Sequence, residues 1–570
     1  SSKKNRDILR YLLLAGIIVL LNVIGSLKFF RLDLTSEKRF TLSDGTIELL
    51  NKVDDVLLVK VYLEGDFPAG FQRLQSETRQ MLDEFRAYNP NIQYSFINPN
   101  QAETEKQSKQ LKQQLQQKGI RPFQLSVSEE GGQAVSTIFP GAVLSLGEQE
   151  AVVSLLKSQL GANSARQVNV SIQNLEYTLA NALRSLVSDD KPLIGFLQGH
   201  DETDPRRMAD FARQLSDNYR VRLFNIREFK NDSMQGEITL AEQQRRLNRF
   251  DALVIAKPKR SFNELDKYLI DQYIMNGGKT VWLLDAVKAE MDSLQVKSSF
   301  MSLPLYDRLA INDLLFKYGV RVNTNLVADL AAAGVNDQES IRPWIYFPLI
   351  MPRVDHPITK DINAVWLQFA SSIDTLATPG TNKTILMRTS PYSATFAAPH
   401  IVDLNYLYSP PPKVRLNKGN IPVAVLVEGE FESLYKNRLQ PKGESGLLKM
   451  REKSVPTQMV VVGDGDIISN QLNIVNRNIP RGQPLPLGYD QYTGQQYGNS
   501  DFLMNTMDYM LDESDLISIR SRELKIRMLN MARLENNRWF WQSLNTAVPI
   551  MVVLVFGLIY NFLRRRKYTR

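Results

Sequence analysis

The chain has no cysteine in its 570 residues. That absence removes disulfides, thiolate metal sites and any cysteine nucleophile together. Histidine is nearly as scarce: the chain has only three, His200, His356 and His400, and none has a second histidine near it in sequence to complete a zinc site. No G-x-S-x-G elbow and no H-E-x-x-H motif is present. Gly277-Gly278-Lys279 lacks the spacing of a phosphate-binding Walker loop and reads as a helix C-cap. Excess charge is also missing from the body of the chain. The formal net charge is +8, but residues 1–10 supply +3 and residues 564–570 supply +5, so residues 11–563 are neutral. The basicity therefore belongs to the two tails, and no nucleic-acid partner is expected.

Two long apolar runs stand at the ends. Residues 11–27 (YLLLAGIIVLLNVIGSL) and 546–563 (TAVPIMVVLVFGLIYNFL) each approach the ~20 residues a helix needs to cross a bilayer. Lys3, Lys4, Arg6 and Arg10 precede the first run, and Arg564, Arg565, Arg566, Lys567 and Arg570 follow the second. Positive flanks stay on the cytoplasmic side. Both termini are thus expected in the cytoplasm, with the bulk of the chain displayed outside it and the basic tails against anionic lipid. The first run is longer than a signal-peptide core and no A-x-A site follows it, so it is read as a retained span. Trp539 and Trp541 form an aromatic belt before the second, and Pro549 is placed in its first turn.

Between the runs the pattern is α/β. Ser43 is positioned to cap a helix over 44–52. Residues 56–64, 92–99, 123–127, 135–139 and 142–147 read as strands, with helices over 70–88 and 101–118. This alternation of strands and helices, closing on a run of short strands, predicts a thioredoxin-like α/β domain over 28–170, without the Cys-x-x-Cys that thiol chemistry needs. A striped helix (171–187) predicts a linker over 171–190. Residues 192–200, 219–226, 250–258 and 279–285 are apolar strands alternating with helices, and 320–327, 383–390, 422–429 and 458–466 are later strand candidates. They predict a doubly wound domain over 191–515. The Pro- and aromatic-rich stretches 328–384 and 401–421 read as loop insertions. A basic amphipathic helix over 518–535 leads, through a membrane-proximal segment (516–545), to the second span. The expected fold class is α/β: two transmembrane helices flanking a thioredoxin-like and a doubly wound domain.

Two loops at strand ends are candidate ligand sites. Gly199-His200-Asp201-Glu202-Thr203-Asp204 places one histidine beside three carboxylates at the edge where such sheets bind ligands. The alternative there is a solvated turn in which Asp204 caps a helix. Gly463-Asp464-Gly465-Asp466, with Asn470, has the donors for a hard cation but no Ca²⁺-loop spacing. The alternative is a tight turn with Asp466 capping the next helix. Neither loop makes a catalytic set, and no metal or cofactor is expected.

DLTSEKRFTLSDGTIELL (33–50), directly after an apolar run, resembles the start of the GldG family, the gliding-motility-associated ABC transporter auxiliary proteins. IGFLQGHDE (194–202), GGKTVWLLD (277–285), VVVGDGDIISN (460–470) and YGNSDFLMNTMDYM (497–510) follow in matching order, so the resemblance covers nearly the whole chain. It implies an inner-membrane auxiliary subunit, homodimeric within a hetero-oligomer, associated with a multi-span permease and a cytoplasmic ATPase. It also implies a second domain similar to class I glutamine amidotransferase folds, whose chemistry the missing cysteine nucleophile rules out. Three roles stay open at this point: a non-enzymatic transporter subunit binding a substrate or partner, a motility or secretion scaffold, and an anchored enzyme using the His200 loop.

Overall fold

Helix α1 (Asp44–Asn51) starts where the Ser43 side chain accepts from the Thr46 amide, which satisfies one of the amide donors a helix start leaves open. It belongs to a computed structural model that describes residues 11, 13–17, 19, 41–101, 104–129, 132–157, 160–188, 191–228, 238–291, 298–336, 340–409, 415–441, 449–512, 516–521 and 537–568. The chain divides into two units, Ser1–Arg522 and Glu523–Arg570.

Strand β1 (Leu57–Val61), helix α2 (Ala69–Tyr88), strand β2 (Ile92–Phe96) and helix α3 (Glu105–Gln117) follow in the order the periodicity predicts. Next come β3 (Phe123–Glu129), β4 (Gly132–Ile138), β5 (Gly141–Leu146) and β6 (Gln149–Ser154). The sheet runs β2-β1-β5-β6, with β1 and β2 parallel and the other pairs antiparallel. β3 and β4 form a separate hairpin. β6 has no counterpart in the sequence reading, because QEAVVS is polar at its start and short. The helix expected over 171–187 is two helices, α4 (Ser164–Gln173) and α5 (Leu175–Val187), meeting at Asn174, whose side chain donates back to the Val170 carbonyl. Leu175, Leu179 and Leu183 enter the amino-terminal core. Glu176 on the same helix accepts from the Ser43 amide (2.7 Å) and the Thr46 hydroxyl (2.9 Å), fixing α1 to it.

The larger sheet is built from β7 (Leu193–Gln198), β8 (Arg220–Asn225), β9 (Ala252–Ala256), β10 (Lys279–Leu283), β11 (Thr381–Arg388), β12 (Pro422–Gly429) and β13 (Thr457–Val462). Its order is β11-β12-β13-β10-β9-β7-β8. The five strands from β13 to β8 are parallel; at one edge β12 pairs antiparallel with β13, and β11 pairs antiparallel with β12. Strand period decides which residues face which layer. Ile194, Val254, Val281, Leu283 and Val460 meet helices α6 (Ala209–Leu215) and α9 (Asn499–Leu511) through Phe211, Phe502 and Met507. Leu197, Leu253, Ile255, Trp282 and Val461 meet α7 (Leu240–Leu247) and α8 (Glu264–Met275) through Leu247, Leu269 and Tyr273. Burial on both faces explains why β9, β10 and β13 read as unbroken apolar runs.

The stretch read as a loop insertion contains the longest strand among the described residues. Ile341–Ile350 pairs with Ala332–Asn336 and Val365–Trp366. Trp344 packs edge-on to Phe347 (5.0 Å) and Phe369 (5.6 Å) in a second core. Its prolines mislead: Pro343 and Pro348 lie opposite Gly334 and Ala332, flanking a register break where a missing amide donor is tolerated. The candidate strand 320–327 is likewise two strands, split where Asn323 and Asn325 both donate to the Ser372 hydroxyl.

After α9 the chain makes a 3-10 turn, Leu516–Ser521, in place of the α-helix expected from residue 518. Leu516, Ile517 and Ile519 are buried in the amino-terminal core. The rest of that expected helix, 522–535, lies outside the described residues. So do residues 28–40 and most of the first apolar run, of which Tyr11, residues 13–17 and Val19 are helical. In the second unit, helix α10 (Arg538–Tyr568) contains the second run. Among the described residues one helix, Arg538–Arg566, is long and apolar enough to cross a membrane. Pro549 lies well inside it and not in its first turn.

Candidate functional site

The carboxyl ends of β7, β9, β10 and β13 lie side by side, so the residues just past them converge on one edge of the sheet. These residues are Gly199-His200 after β7, Lys257 after β9, Asp285 after β10 and Gly463–Asp466 after β13.

The His200 loop is not a solvated turn. His200 is fully buried and stacked on Phe262, with ring centroids 3.6 Å apart. Its Nδ1 meets Glu202 at 3.2 Å and its Nε2 meets Asp266 at 2.9 Å. Glu202 also accepts from the His200 amide. Asp266 is the N3 residue of the capping box that starts α8, and it takes a further ion pair from Arg227 at 2.8 Å. Burial pulls the His200 pKa down, but the hydrogen bonds to Asp266 and Glu202 outweigh it and hold the ring above its ordinary value. Asp266 is held below its ordinary value, its burial outweighed by His200 and Arg227. Both ring nitrogens are engaged, so the charged imidazole is a rivet between the β7 loop and α8. Gly199 and Asp201 carry the bend, with φ of +127° and +59°. Asp204 accepts from the Arg206 amide and caps a 3-10 turn, Pro205–Met208, before α6.

The Asp464–Asp466 loop meets two residues that the sequence reading did not single out as site residues. The Lys257 ammonium lies 3.1 Å from Asp285 and 2.6 Å from Asp466. Asp285 accepts from the Gly465 amide at 2.6 Å. Asp464 accepts from the Gln368 and Asp466 amides, both at 2.7 Å. Asp464 therefore closes the turn, and Asp466, expected to cap the next helix, is instead the first residue of the 3-10 turn Asp466–Ile468, which has no side-chain cap. Asn470 is elsewhere: its amide groups brace the 205–208 turn through Arg206, Arg207 and Asp210.

Carboxylate oxygens of Asp285, Asp464 and Asp466 lie within 4.8 Å of one another, close enough to share a cation. The Lys257 ammonium already bridges two of them. Burial, and then the neighbouring carboxylates, push Asp464 well above the ordinary carboxylate range. Burial raises Asp285 to about 6 although Lys257 pulls it down. Burial disfavours the Lys257 charge, but Asp285 and Asp466 more than compensate, so the amine is protonated and no nucleophile. Its backbone has φ +52°, a left-handed conformation costly for a lysine, held by the hydrogen bond its amide donates to the Leu283 carbonyl.

Two glycines let these loops approach. A Cβ on Gly465 would sit 2.7 Å from the Lys257 side chain, and one on Gly463 would sit 2.2 Å from the Ser371 carbonyl oxygen. The Ser371 amide donates to the Gly463 carbonyl at 2.6 Å, so neither backbone can retreat without losing that bond. Gly463→Ala is expected to destabilise the unit by about 2–3 kcal/mol, as an overpacked position does. The shift of the urea midpoint measures it.

The signal for the missed residues was present. Lys257 and Asp285 each fall within two residues of the end of a strand whose last residues are apolar and buried, where a charged side chain has no core to enter and must find a partner.

A family model described as an ABC-type uncharacterized transport system (ABC_transp_aux) matches residues 191–506, which hold the whole of this sheet edge. A domain of unknown function (DUF7088) matches residues 36–145. A chain of Borreliella burgdorferi B31 described as an uncharacterized protein is 21% identical over 576 residues, with 99% of each chain covered. Among solved structures, the mmIFT52 N-terminal domain is similar at 14% identity with a TM-score of 0.31, covering 56% of this chain and 96% of that one. Because its model spans more than half of the sequence, the chain belongs to the ABC-type uncharacterized transport system auxiliary family.

Proposed function

We propose that the protein is a membrane-anchored, GldG-like subunit that works beside a multi-span permease and a cytoplasmic ATPase, with a thioredoxin-like and a doubly wound domain in the periplasm. The observation that carries the reading is the family match over 191–506 on a chain that also has a helix able to cross a membrane. Helix α10 and the first apolar run anchor it, both termini face the cytoplasm, and it pairs as a homodimer within the larger complex. Energy comes from the partner ATPase, and the α/β unit binds a substrate or partner. The reading is non-enzymatic. It is supported by the engagement of both His200 nitrogens in a buried site and by the protonated state of Lys257, which leave neither group free as a base or nucleophile.

The test is affinity purification of the tagged full-length chain in mild detergent, with quantitative mass spectrometry of the eluate. A permease and an ATPase are expected at a constant ratio to the chain. Recovery of the chain without either would overturn the proposal.

A further inference from the structure

A cleft of about 690 Å³ opens between the helices Tyr306–Leu309 and Asn312–Lys317, the strand Val320–Val322 and the turn at 433–438. None of the acidic residues around Lys257 lines it. Its size is that of a small-molecule site.

The floor is rigid. Asp271, fully buried on α8, accepts from the Tyr318 hydroxyl (2.7 Å), the Ser433 hydroxyl (2.7 Å) and the Leu434 amide (2.8 Å). These three bonds hold the turn in place before any ligand arrives, and such pre-organisation lowers the ordering cost of binding.

The walls hold more basic groups than acidic ones. Lys317 and Lys436 share one carboxylate, Glu432, at 3.0 and 2.9 Å. Arg438 shares Asp313 (2.7 Å) with Lys267, which also pairs with Glu264. Exposed Arg321 forms no ion pair with a carboxylate among the described residues. Asp307 is the remaining acid in the lining. Lys317, Lys436 and Arg438 each keep N–H donors beyond those their one carboxylate takes. Phe316 leaves its helix toward this space with 54% of its surface exposed, while its neighbours Leu314 and Leu315 are buried. A fixed floor, a surplus of cationic donors and an uncovered aromatic ring together match a ligand with a negative charge and a flat apolar body.

We propose that this cleft binds a small anion carrying an aromatic or apolar group, its charge held by Arg321, Lys436 and Arg438 and its body laid on Phe316. The claim deepens the binding role proposed above and rests on it. Its readout is direct binding by the purified chain, so it fails or stands separately from co-purification with a permease.

The probe is phenyl phosphate, titrated calorimetrically into the full-length chain in detergent at low salt, with inorganic phosphate as the comparison. One saturable site per chain is expected, binding phenyl phosphate more tightly than phosphate and weakening as salt screens the charge. Arg321→Gln, a change at an exposed residue, is expected to weaken both anions by about tenfold. Phe316→Ala is expected to weaken phenyl phosphate by about fivefold and leave inorganic phosphate unchanged. Arg438→Gln tests the second cation, with its thermal midpoint checked against the parent. Absence of saturable phenyl phosphate binding overturns the proposal. Affinities unaltered in both Arg321→Gln and Phe316→Ala overturn it equally, since binding then lies elsewhere.

Discussion

Asp508→Ala is expected to lower the stability of the α/β unit by about 3–5 kcal/mol, the cost of leaving a buried charge without its partner. Asp508 lies on α9, buried, 331 residues after Tyr177 in the chain. It accepts from the Tyr177 hydroxyl at 2.6 Å, the Tyr219 hydroxyl at 2.6 Å and the Arg184 guanidinium at 2.7 Å. Two of these donors stand on α5, in the amino-terminal core, and Tyr219 stands beside the larger sheet. One carboxylate therefore ties three elements of separate origin. Asp512 gives Arg184 a second contact at 3.1 Å, so the guanidinium in the variant keeps half of its neutralisation. The Tyr177 hydroxyl loses its acceptor, and the Tyr219 hydroxyl keeps only a 3.5 Å contact from Arg184. Tyr219→Phe, which removes one donor without stranding a charge, should cost about 1 kcal/mol. Thermal unfolding of the two variants by near-ultraviolet circular dichroism separates the cases. A loss for Asp508→Ala no larger than that for Tyr219→Phe would mean that Asp512 and water replace the lost carboxylate. The seam has a second fastening in the buried Arg520 of the 516–521 turn, which donates to Asn505 at 2.6 Å and to the Lys360 carbonyl, with its guanidinium 5.3 Å from the Tyr177 ring centroid.

Local chemistry was legible in the sequence; partnership across the chain was not. Ser43 caps α1, and the glycines after α8 end it, because caps depend on a few neighbouring residues. β9, β10 and β13 were visible as apolar runs for the same reason. The strand Ile341–Ile350 was hidden because its burial on both faces removes the alternation that marks a half-exposed strand, and its two prolines look like breakers until the register break opposite them is known. At the site, Asp464 and Asp466 were picked out as candidates, but Lys257 and Asp285 were not. β13 lies beside β10 although the chain places 173 residues between their ends and starts, Leu283 and Thr457. No local pattern encodes that neighbour relation. His200 was read with Asp201 and Glu202, which follow it. Of these only Glu202 holds the ring, and the other partner, Asp266, comes 66 residues later. Sequence proximity suggested a wet acidic loop, and the fold made a dry ion pair of it.

Lys257→Met is expected to cost about 3–5 kcal/mol near pH 8, with the deficit shrinking to less than half near pH 5. Methionine keeps most of the volume of the lysine stem, so the change removes the ammonium more than the packing. The sign follows from the carboxyls. The Asp285 pKa is raised from 3.8 to about 6 in the folded chain. Between those values the folded state binds a proton that the unfolded state has released, so this group's contribution to stability falls as pH rises through the window and levels off above it. Asp464, raised further, extends the same trend upward. Lys257 opposes it by favouring ionised Asp285 and Asp466. Without the ammonium Asp285 holds its proton to higher pH, and above that pH its charge sits in a buried site with no counter-ion. At low pH the protonated carboxyls need none, and the variant approaches the parent. The difference in unfolding midpoint between variant and parent, measured across this pH range, therefore reads the electrostatic role directly. A deficit that does not change with pH would assign Lys257 a packing role alone. A deficit that grows with pH identifies it as the counter-ion of the sheet edge, in the position a bound cation would otherwise take.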